Sequence, residues 1–306
     1  MFDGILPVYK EKDFTSFDVI AKLRGMLHQK KIGHAGTLDP MATGVLVLLL
    51  GNATKLSELL TEHDKSYKAV LTLGVSSVTD DATGSITPDE NYENVKNGLD
   101  NESIIKAIKR FEGNIMQFPP IYSAIKKNGK KLYEYARSGQ EIELEPRSVV
   151  IYSIYDIDIN LPDISFTVDC GKGTYIRSLC RDIGAALGTK AVMSSLERIS
   201  VDNVTLDDTH SLDEIQTFVD EGHFEDLIIS TDKVLGIYPA ADINISAEKL
   251  LINGNKLGPD DICLREERSL IDGDIIRIYI NNELYALYRY VEKDNVLKAY
   301  KMLGQQ

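Results

Sequence analysis

The sequence predicts an α+β fold with a large N-terminal domain and a small C-terminal β domain. Before about residue 234, segments with helical and strand periodicity follow one another without regular strand–helix–strand alternation. From Leu235 onwards, segments such as "DGDIIRIYI" and "LYALYRYV" are typical of short strands joined by tight turns. A length of 306 residues accommodates both units. We therefore expect domains at residues 1–234 and 235–306.

The first predicted helix begins at Thr15 and Ser16, which are good N-cap residues, and has Asp18 in its first turn. Farther along the chain, "YKAVLTLGV" at residues 67–75 alternates between apolar and polar positions, as a half-buried strand does. The predicted helix presents one apolar face to the core, formed by Phe17, Ile20, Leu23 and Leu27.

The middle of the chain predicts two further helices and two long strands. Ser103 is a suitable start for the second helix, which we expect to reach Gly113. The strands are expected at residues 149–159 and 164–170. Thr174 is then the expected N-cap of the third helix. The buried stripe of that helix is expected to contain Ile176, Leu179, Cys180, Ile183 and Leu187.

Cysteine usage and hydropathy predict a protein of the reducing cytoplasm that does not enter a membrane. The three cysteines are widely spaced and form no CxxC pair, so neither a disulfide framework nor a zinc site is indicated. The N-terminus carries charges where a signal peptide needs an apolar core. The longest apolar run, at residues 45–50, is too short to span a bilayer.

The net charge of −13 by itself argues against a nucleic-acid partner, because phosphate binding needs clustered cations. The charge is unevenly distributed, however. Residues 199–232 contain many acids and no lysine or arginine, whereas "KKNGKK" at residues 126–131 places four lysines around a predicted turn. The uneven charge is therefore compatible with a local basic face on an acidic molecule. A solvated hairpin tip is the simpler interpretation of these four lysines.

The strongest candidate site is the glycine-rich segment "KIGHAGTLDPMATGVLVLLLG" at residues 31–51. Asp39 precedes a proline, which favours a turn or extended backbone and a side chain that projects from a loop. Gly36 and Gly44 allow tight turns, and the apolar run after Gly44 should anchor the loop to the core. Such anchored loops often carry catalytic side chains. The alternative is an ordinary Asp-Pro turn before a core strand, which the residues alone favour.

Motifs for phosphate-loop, dinucleotide or histidine-metal chemistry do not occur in the sequence. A carboxylate that works without a cofactor can act as a nucleophile, provided that it stays ionised where water is excluded. A neighbouring guanidinium would keep it charged. Arg177 and Arg181, one turn apart on the third predicted helix, are both candidate partners, and either could instead form a surface ion pair with Asp182.

Four segments in order resemble the motifs of one family. They are "GHAGTLDPMATGVL" at 33–46, "KSYKAVLTLG" at 65–74, "FPPIYSAIKKNGKKLYEYARSG" at 118–139 and "GTYIRSLCRDIG" at 173–184. These segments are similar to motifs of the TruB family of tRNA pseudouridine-55 synthases. The resemblance covers most of the chain. It implies a pseudouridine synthase catalytic domain, with a mixed and mainly antiparallel sheet flanked by helices, followed by a PUA-like RNA-binding β domain.

The resemblance implies an enzyme that isomerises the T-loop uridine of tRNA, at position 55, to pseudouridine. In this reaction the glycosidic bond is broken, the uracil is rotated, and a carbon–carbon bond is made to the same ribose. The family uses no cofactor and no metal, so none is expected here. The expected partner is the T-arm of tRNA, and the chain is expected to be a monomer. The alternative is a tRNA-binding folding helper with secondary catalysis or none.

The resemblance also implies roles for individual residues. Asp39 matches the essential aspartate, which acts either as a nucleophile or as the base that starts glycal formation. Tyr67 matches the tyrosine that stacks on the target base and moves the proton from its carbon. Arg177 matches the arginine that pairs with the aspartate, and His34 matches the histidine that inserts into the T-loop. The remaining residues expected to bind substrate are Lys10, Gly36, Tyr175 and Leu196.

The chain departs from the family pattern near some of these positions. Glu11 stands beside Lys10 where proline is usual, and Glu197 stands where arginine is commoner. Together with the net charge, these changes predict weaker phosphate contact than a typical member makes. The intact catalytic set favours an enzyme over a pure RNA binder.

Overall fold

The computed structural model describes residues 1–123, 125–140 and 142–304. It contains two large sheets and confirms the predicted α+β class. Within these ranges, no helix is long and apolar enough to cross a bilayer.

The first region contains the larger sheet and most of the helices. Its strands are β1 (Gly4–Lys10), β2 (Ile32–His34), β3 (Thr43–Leu50), β4 (Lys65–Leu73), β5 (Val75–Ser77), β6 (Ile86–Pro88), β7 (Gly113–Gln117), β8 (Lys126–Lys127), β9 (Lys130–Lys131), β10 (Arg147–Asn160), β11 (Asp163–Cys170), β12 (Ala191–Val201) and β13 (Val204–Thr205). Its helices are α1 (Ser16–Leu27), α2 (Ser57–Thr61), α3 (Tyr92–Lys96), α4 (Asn101–Lys109), α5 (Leu132–Arg137), α6 (Ile176–Ala186), α7 (Leu212–Asp220) and α8 (Thr231–Val234).

The larger sheet has the strand order β1-β3-β12-β4-β11-β10-β7, with β2 against β3 and β13 against β12. Strands β12 and β3 run parallel, and the other neighbours are antiparallel. This arrangement confirms the mixed, mainly antiparallel sheet that the family resemblance implies. Alternate side chains of β4, from Lys65 to Leu73, are buried, so one face of this central strand packs against the core.

The apolar run in β3 is long because both faces of the strand are buried. Leu46, Leu48 and Leu50 belong to the main core cluster. Their neighbours on the opposite face belong to a second cluster, which also contains Val234 and Leu287. A strand buried on both sides needs apolar residues at every position instead of at alternate ones. The predicted anchoring of the Asp39 loop by this run is confirmed.

The second region is a small sheet with the strand order β15-β14-β16-β17-β18, in which β14 and β16 are parallel. The second core cluster joins this sheet to the first region through Val234, Leu235 and Leu287. The predicted boundary at residues 234/235 falls just after α8, and a division into domains there stays a prediction. The elements of this region are β14 (Ala240–Ile243), α9 (Glu248–Ile252), β15 (Ile262–Leu264), β16 (Ile275–Ile280), β17 (Glu283–Val291) and β18 (Val296–Met302).

The predicted start of α1 is confirmed, but one residue of its predicted core face is wrong. Thr15 is the N-cap and forms a capping box with Asp18. Phe17, however, is 64% exposed, whereas Val19 is fully buried. The buried stripe runs through Ser16, Val19, Ile20, Leu23 and Leu27, which leaves position 17 at its edge, under the guanidinium of Arg24.

Two other predicted helix ends are also corrected. Helix α4 is capped by Asp100, with Ser103 as the reciprocal member of its capping box, and it ends at Lys109 because the chain must enter β7 at Gly113. Helix α6 has Tyr175 as its N-cap residue, whereas Thr174 donates its hydroxyl to a carbonyl of the preceding turn.

The lysine-rich turn is a small hairpin, as the simpler interpretation predicts. Strands β8 and β9 pair antiparallel, and Asn128 and Gly129 both have positive φ angles, of 53° and 83°. Two consecutive positive φ angles are typical of a tight two-residue hairpin turn.

Candidate active site

The loop that carries Asp39 joins β2 to β3 and is held on several sides. The backbone N–H of Leu38 donates to the Ser16 hydroxyl at 2.9 Å, which ties the loop to the start of α1. The ammonium of Lys10, on β1, donates to the carbonyl of Pro40 at 3.2 Å. The buried strand β3 anchors the other end. These contacts hold Asp39 at a defined position at the edge of the core.

Of the two candidate arginines, the structure brings Arg177 to Asp39. Its Nε lies 2.9 Å from Asp39 Oδ2, and its Nη2 lies 3.2 Å from Oδ1, so the contact is bidentate. The arginine side chain is 7% exposed and the aspartate side chain 33%, so the carboxylate keeps an accessible edge. Arg181, one turn farther along α6, instead contacts Asp80 and Asp182, each at 2.9 Å.

A second buried carboxylate, Asp81, lies on the far side of the Arg177 guanidinium at 3.6 Å. It is 4% exposed and accepts hydrogen bonds from the hydroxyls of Thr79 and Thr83. Arg177 also donates to the carbonyls of Thr79 and Tyr122, each at 3.1 Å. The guanidinium is therefore fixed in one orientation. Asp81 is not among the residues to which the family resemblance assigns a role.

The environment of Asp39 changes its acidity. Burial raises the pKa of Asp39 above its ordinary value, the Arg177 guanidinium opposes this rise, and the Asp81 carboxylate adds to it. The carboxyl group of Asp39 therefore takes up a proton at a higher pH than a solvated aspartate does.

Tyr67 forms part of the same cleft. It lies on β4, is 8% exposed, and is the cross-strand neighbour of Arg198 on β12. Burial raises the pKa of Tyr67, and the Arg198 guanidinium opposes this rise. At neutral pH the side chain is a neutral phenol with a flat apolar ring at the edge of the cleft.

The cleft itself has a volume of about 420 Å³ and contains most of the predicted site residues. This volume lies in the range typical of sites for small ligands, and it is of the order needed for one nucleoside. Gly36 has a φ of +95°, a conformation that side-chain-bearing residues rarely adopt. The predicted residues that line the cleft are Gly36, Asp39, Tyr67, Tyr175, Arg177 and Leu196.

Two buried cations, Lys65 and Arg198, line the same cleft and had no predicted role. Lys65 donates to the carbonyls of Thr61 and His63, and burial lowers the pKa of Lys65 to about 8. Arg198 is fully buried. Within the described part of the chain, neither cation lies within 4.0 Å of a carboxylate oxygen. The cleft thus carries locally positive charge in an acidic molecule.

The other two predicted binding residues lie beside the cleft and do not line it. His34 is partly exposed on β2, and burial together with Arg198 lowers the pKa of His34, so its ring is neutral at neutral pH. Lys10 is fully buried and donates to the carbonyls of Glu11, Phe14 and Pro40. In this structure Lys10 therefore contacts the Asp39 loop and not solvent.

Glu197, the departure from the commoner arginine, lies away from the cleft. Its carboxylate accepts a hydrogen bond from the Tyr9 hydroxyl at 3.0 Å, whereas Leu196 and Arg198 on either side of it line the cleft. The replacement therefore removes no cation from the cleft, and the expectation of weaker phosphate contact loses this support. Among residues 1–123, 125–140 and 142–304, no cluster of three metal-ligating side chains occurs.

Comparison with known proteins gives matches along almost the whole chain. Residues 24–176 match the family model described as the N-terminal domain of TruB family pseudouridylate synthase. Residues 177–235 match the model for the C-terminal domain of tRNA pseudouridylate synthase B.

Relatives of full length carry the same description. The chain is 43% identical to "tRNA pseudouridine synthase B" of Lachnoclostridium phytofermentans, covering 98% of this chain and 99% of that one. It is 38% identical to the protein of the same name from Bacillus pumilus, covering 100% and 99%. A solved H/ACA RNP bound to a substrate RNA containing 2'-deoxyuridine superposes with a TM-score of 0.75 at 25% identity, covering 99% of this chain and 85% of that one.

Proposed function

We propose, from the premise that this chain belongs to the TruB family of pseudouridylate synthases, that it isomerises the uridine at position 55 of tRNA to pseudouridine in the cleft around Asp39. Its full-length relatives are named as synthases of this kind. The alternative of a tRNA-binding folding helper without catalysis finds no support among them.

The observation that carries this proposal is the bidentate pair of Asp39 and Arg177 at the wall of a nucleoside-sized cleft. An ionised carboxylate with one accessible edge can attack an extruded nucleotide or remove a proton from its ribose. Arg177 favours the ionised form and orients its oxygens. The geometry suits either role, nucleophile or base.

The reaction needs no co-reactant, because uridine and pseudouridine contain the same atoms. The bond from the ribose C1' to N1 of uracil is broken, and a bond from C1' to C5 is made. The proton that leaves C5 is balanced by the proton that N1 gains. The chain must therefore hold the uracil in the cleft while it turns, and must carry one proton. We assign the proton transfer at C5 to Tyr67, which lines the cleft.

The base must leave its stack before this chemistry can begin. Extrusion of a nucleotide costs roughly a few kcal/mol, and stacking on an aromatic ring recovers about 1–3 kcal/mol per base. The ring of Tyr67 and the apolar side chain of Leu196 supply such a surface inside the cleft. Tyr175 lies at the same wall. We assign to His34, on β2, the role of occupying the position that the extruded nucleotide vacates.

The tRNA partner fits the local charge of the cleft better than the net charge of the chain. Lys65, Arg177 and Arg198 line the cleft together with Asp39, so cations outnumber carboxylates among the lining residues. We further propose that the protein acts as a monomer in the cytoplasm, where tRNA is modified. Light scattering of the purified protein tests the monomer.

The proposed function is tested by incubating the protein with unmodified tRNA and with a control tRNA that carries cytidine at position 55. Nucleoside chromatography after digestion should show one pseudouridine per molecule in the first case and none in the second. Absence of pseudouridine from the uridine-containing tRNA would refute the proposed activity. Equal yields from both would place the target elsewhere in the tRNA.

A further inference from the structure

Arg198 is a fully buried cation that has no role in the proposed mechanism beyond its share of the positive charge of the cleft. Its Nε donates to the carbonyl of Val45 at 2.7 Å, and its Nη2 donates to the carbonyl of Gly36 at 3.2 Å. A buried guanidinium without a carboxylate partner is costly, since desolvation is offset only by neutral hydrogen bonds. Such a group is retained only where its charge or its donors serve something that an apolar side chain cannot.

The two carbonyls connect Arg198 to the catalytic loop. Gly36 belongs to the loop that carries Asp39, and Val45 belongs to the strand that anchors this loop. The backbones are in close contact here. A Cβ on Gly44 would come within 2.2 Å of the Arg198 carbonyl oxygen, so the backbones of β3 and β12 are closely packed where the loop enters β3.

The same guanidinium adjoins Tyr67. Arg198 and Tyr67 are directly opposite each other in the antiparallel pair β12–β4, and both line the cleft. Directly opposite side chains on one face of a sheet have Cβ atoms about 5 Å apart. A guanidinium can only donate hydrogen bonds, so any such bond to the phenol uses the tyrosine oxygen as acceptor. The hydroxyl proton is then free to point into the cleft.

We propose that Arg198 is a positioning residue for uridine isomerisation, which fixes the Asp39 loop relative to Tyr67 and orients the Tyr67 hydroxyl towards the base. This inference rests on the proposed function. It predicts that the effect of Arg198 on the rate passes largely through Tyr67. Three charged or titratable groups act on Tyr67, namely Arg198 from β12, Cys170 from β11 and Asp39 from the loop, and Arg198 alone of these favours the ionised phenol.

The experiment compares Arg198→Lys with Arg198→Met in single-turnover reactions on unmodified tRNA. Methionine keeps an unbranched aliphatic stem but has no charge and no donor, whereas lysine keeps both. We expect the rate to fall about tenfold for Arg198→Lys and roughly 100-fold for Arg198→Met, as a displaced catalytic group does. The affinity for tRNA should change by less than about threefold, because the side chain is inaccessible to RNA outside the cleft.

Combining each Arg198 variant with Tyr67→Phe distinguishes a positioning role of Arg198 from general support of the fold. If Arg198 acts through Tyr67, the further loss caused by Arg198→Met should shrink to about threefold or less in the Tyr67→Phe background. The matched control is Lys10→Met, which removes another buried cation that bonds to the same loop from the side of β1. Its effect should be the same in both backgrounds. Equal losses for Arg198→Met in both backgrounds would overturn the proposal.

Two further outcomes are decisive. If the Tyr67→Phe rate falls below detection, the two single variants of Arg198 are compared instead. Equal activity of Arg198→Met and Arg198→Lys, at equal melting temperature, then contradicts the proposal. If Arg198→Met fails to fold, Arg198→Lys decides through its catalytic rate on bound tRNA, because an unchanged rate contradicts the proposal. Failure of the proposed function is distinguishable from both outcomes, because the wild-type protein would then form no pseudouridine.

Discussion

The cleft and the small C-terminal sheet contain the same ion pair in two environments. In the cleft, Arg177 contacts both oxygens of Asp39 through Nε and Nη2, at 2.9 and 3.2 Å. In the small sheet, Arg265 contacts both oxygens of Asp242 through the same two nitrogens, at 2.9 and 2.7 Å. The pairing geometry is alike, but the arginine side chain is 7% exposed in the first pair and 35% exposed in the second.

This difference reverses the effect on acidity. The hydrogen bonds from Arg265 lower the pKa of Asp242. This is expected for a carboxylate that stays largely solvated, because burial then disfavours its charged form only slightly. Burial raises the pKa of Asp39 despite its equivalent contact. A bidentate arginine contact is therefore no sign of a reactive carboxylate by itself. The pair in the cleft differs from the other pair by its burial beside an open cleft and by the second carboxylate behind its arginine.

The largest expected effect is the difference in turnover between variants of Asp39 and Asp242. Asp39→Asn removes the charge but keeps the shape, so turnover should be abolished while tRNA affinity stays within about tenfold. Asp242→Asn is the matched control and should leave turnover unchanged. Single-turnover assays and filter binding measure both quantities. Full activity of Asp39→Asn would end the assignment of Asp39 as the reactive carboxylate.

The next largest effect is the difference in rate between variants of Arg177 and Arg181, which lie on the same helix. Arg177→Lys keeps the charge but loses the bidentate contact, and the rate on bound tRNA should fall by about 10²–10³-fold. Arg181→Lys, one turn away, should change the rate by less than about threefold, because Arg181 pairs with Asp80 and Asp182 and not with Asp39. Similar losses for both variants would mean that α6 as a whole, and not the pair with Asp39, sets the rate.

A smaller effect should appear in the pH dependence. The reaction needs the ionised Asp39, and its raised pKa means that activity is lost as the pH falls, at a higher pH than for a solvated aspartate. Asp81→Asn removes one cause of that rise, so the acidic limb of the single-turnover rate should move to lower pH. Movement to higher pH would indicate that Asp81 acts mainly by placing Arg177.

The smallest effect concerns stability in the C-terminal sheet. Asp242→Asn should change the free energy of unfolding by less than about 1 kcal/mol, because solvent and salt screen an exposed pair. Urea denaturation measures this change. A loss of several kcal/mol would show that the environments of the two pairs are less different than their exposure indicates.

The sequence predicts those features that depend on neighbouring residues. The cap at Thr15, the hairpin at residues 126–131 and the anchored Asp39 loop all follow from short patterns. The fold class follows from the order and type of the elements, and the family resemblance supplies the partner of Asp39 that spacing leaves open between two arginines.

Contacts between distant segments could not be predicted in this way. Arg198 reaches Tyr67 because β12 pairs with β4 in one particular register, across 131 residues of sequence. Asp81 reaches Arg177 because a loop after β5 folds over the start of α6. The position of Glu197 away from the cleft depends on the same register. Local propensity carries no information about such pairings, since only the assembled sheet determines them.

The most direct test of the central claim is a crystal structure of the Asp39→Asn variant bound to a T-arm hairpin RNA with uridine at the target position. We predict that this uridine is swung out of the RNA and lies in the cleft, with its base against Tyr67 and its ribose beside the side chain at position 39. A target uridine that remains stacked in the RNA while the cleft stays empty would contradict this account.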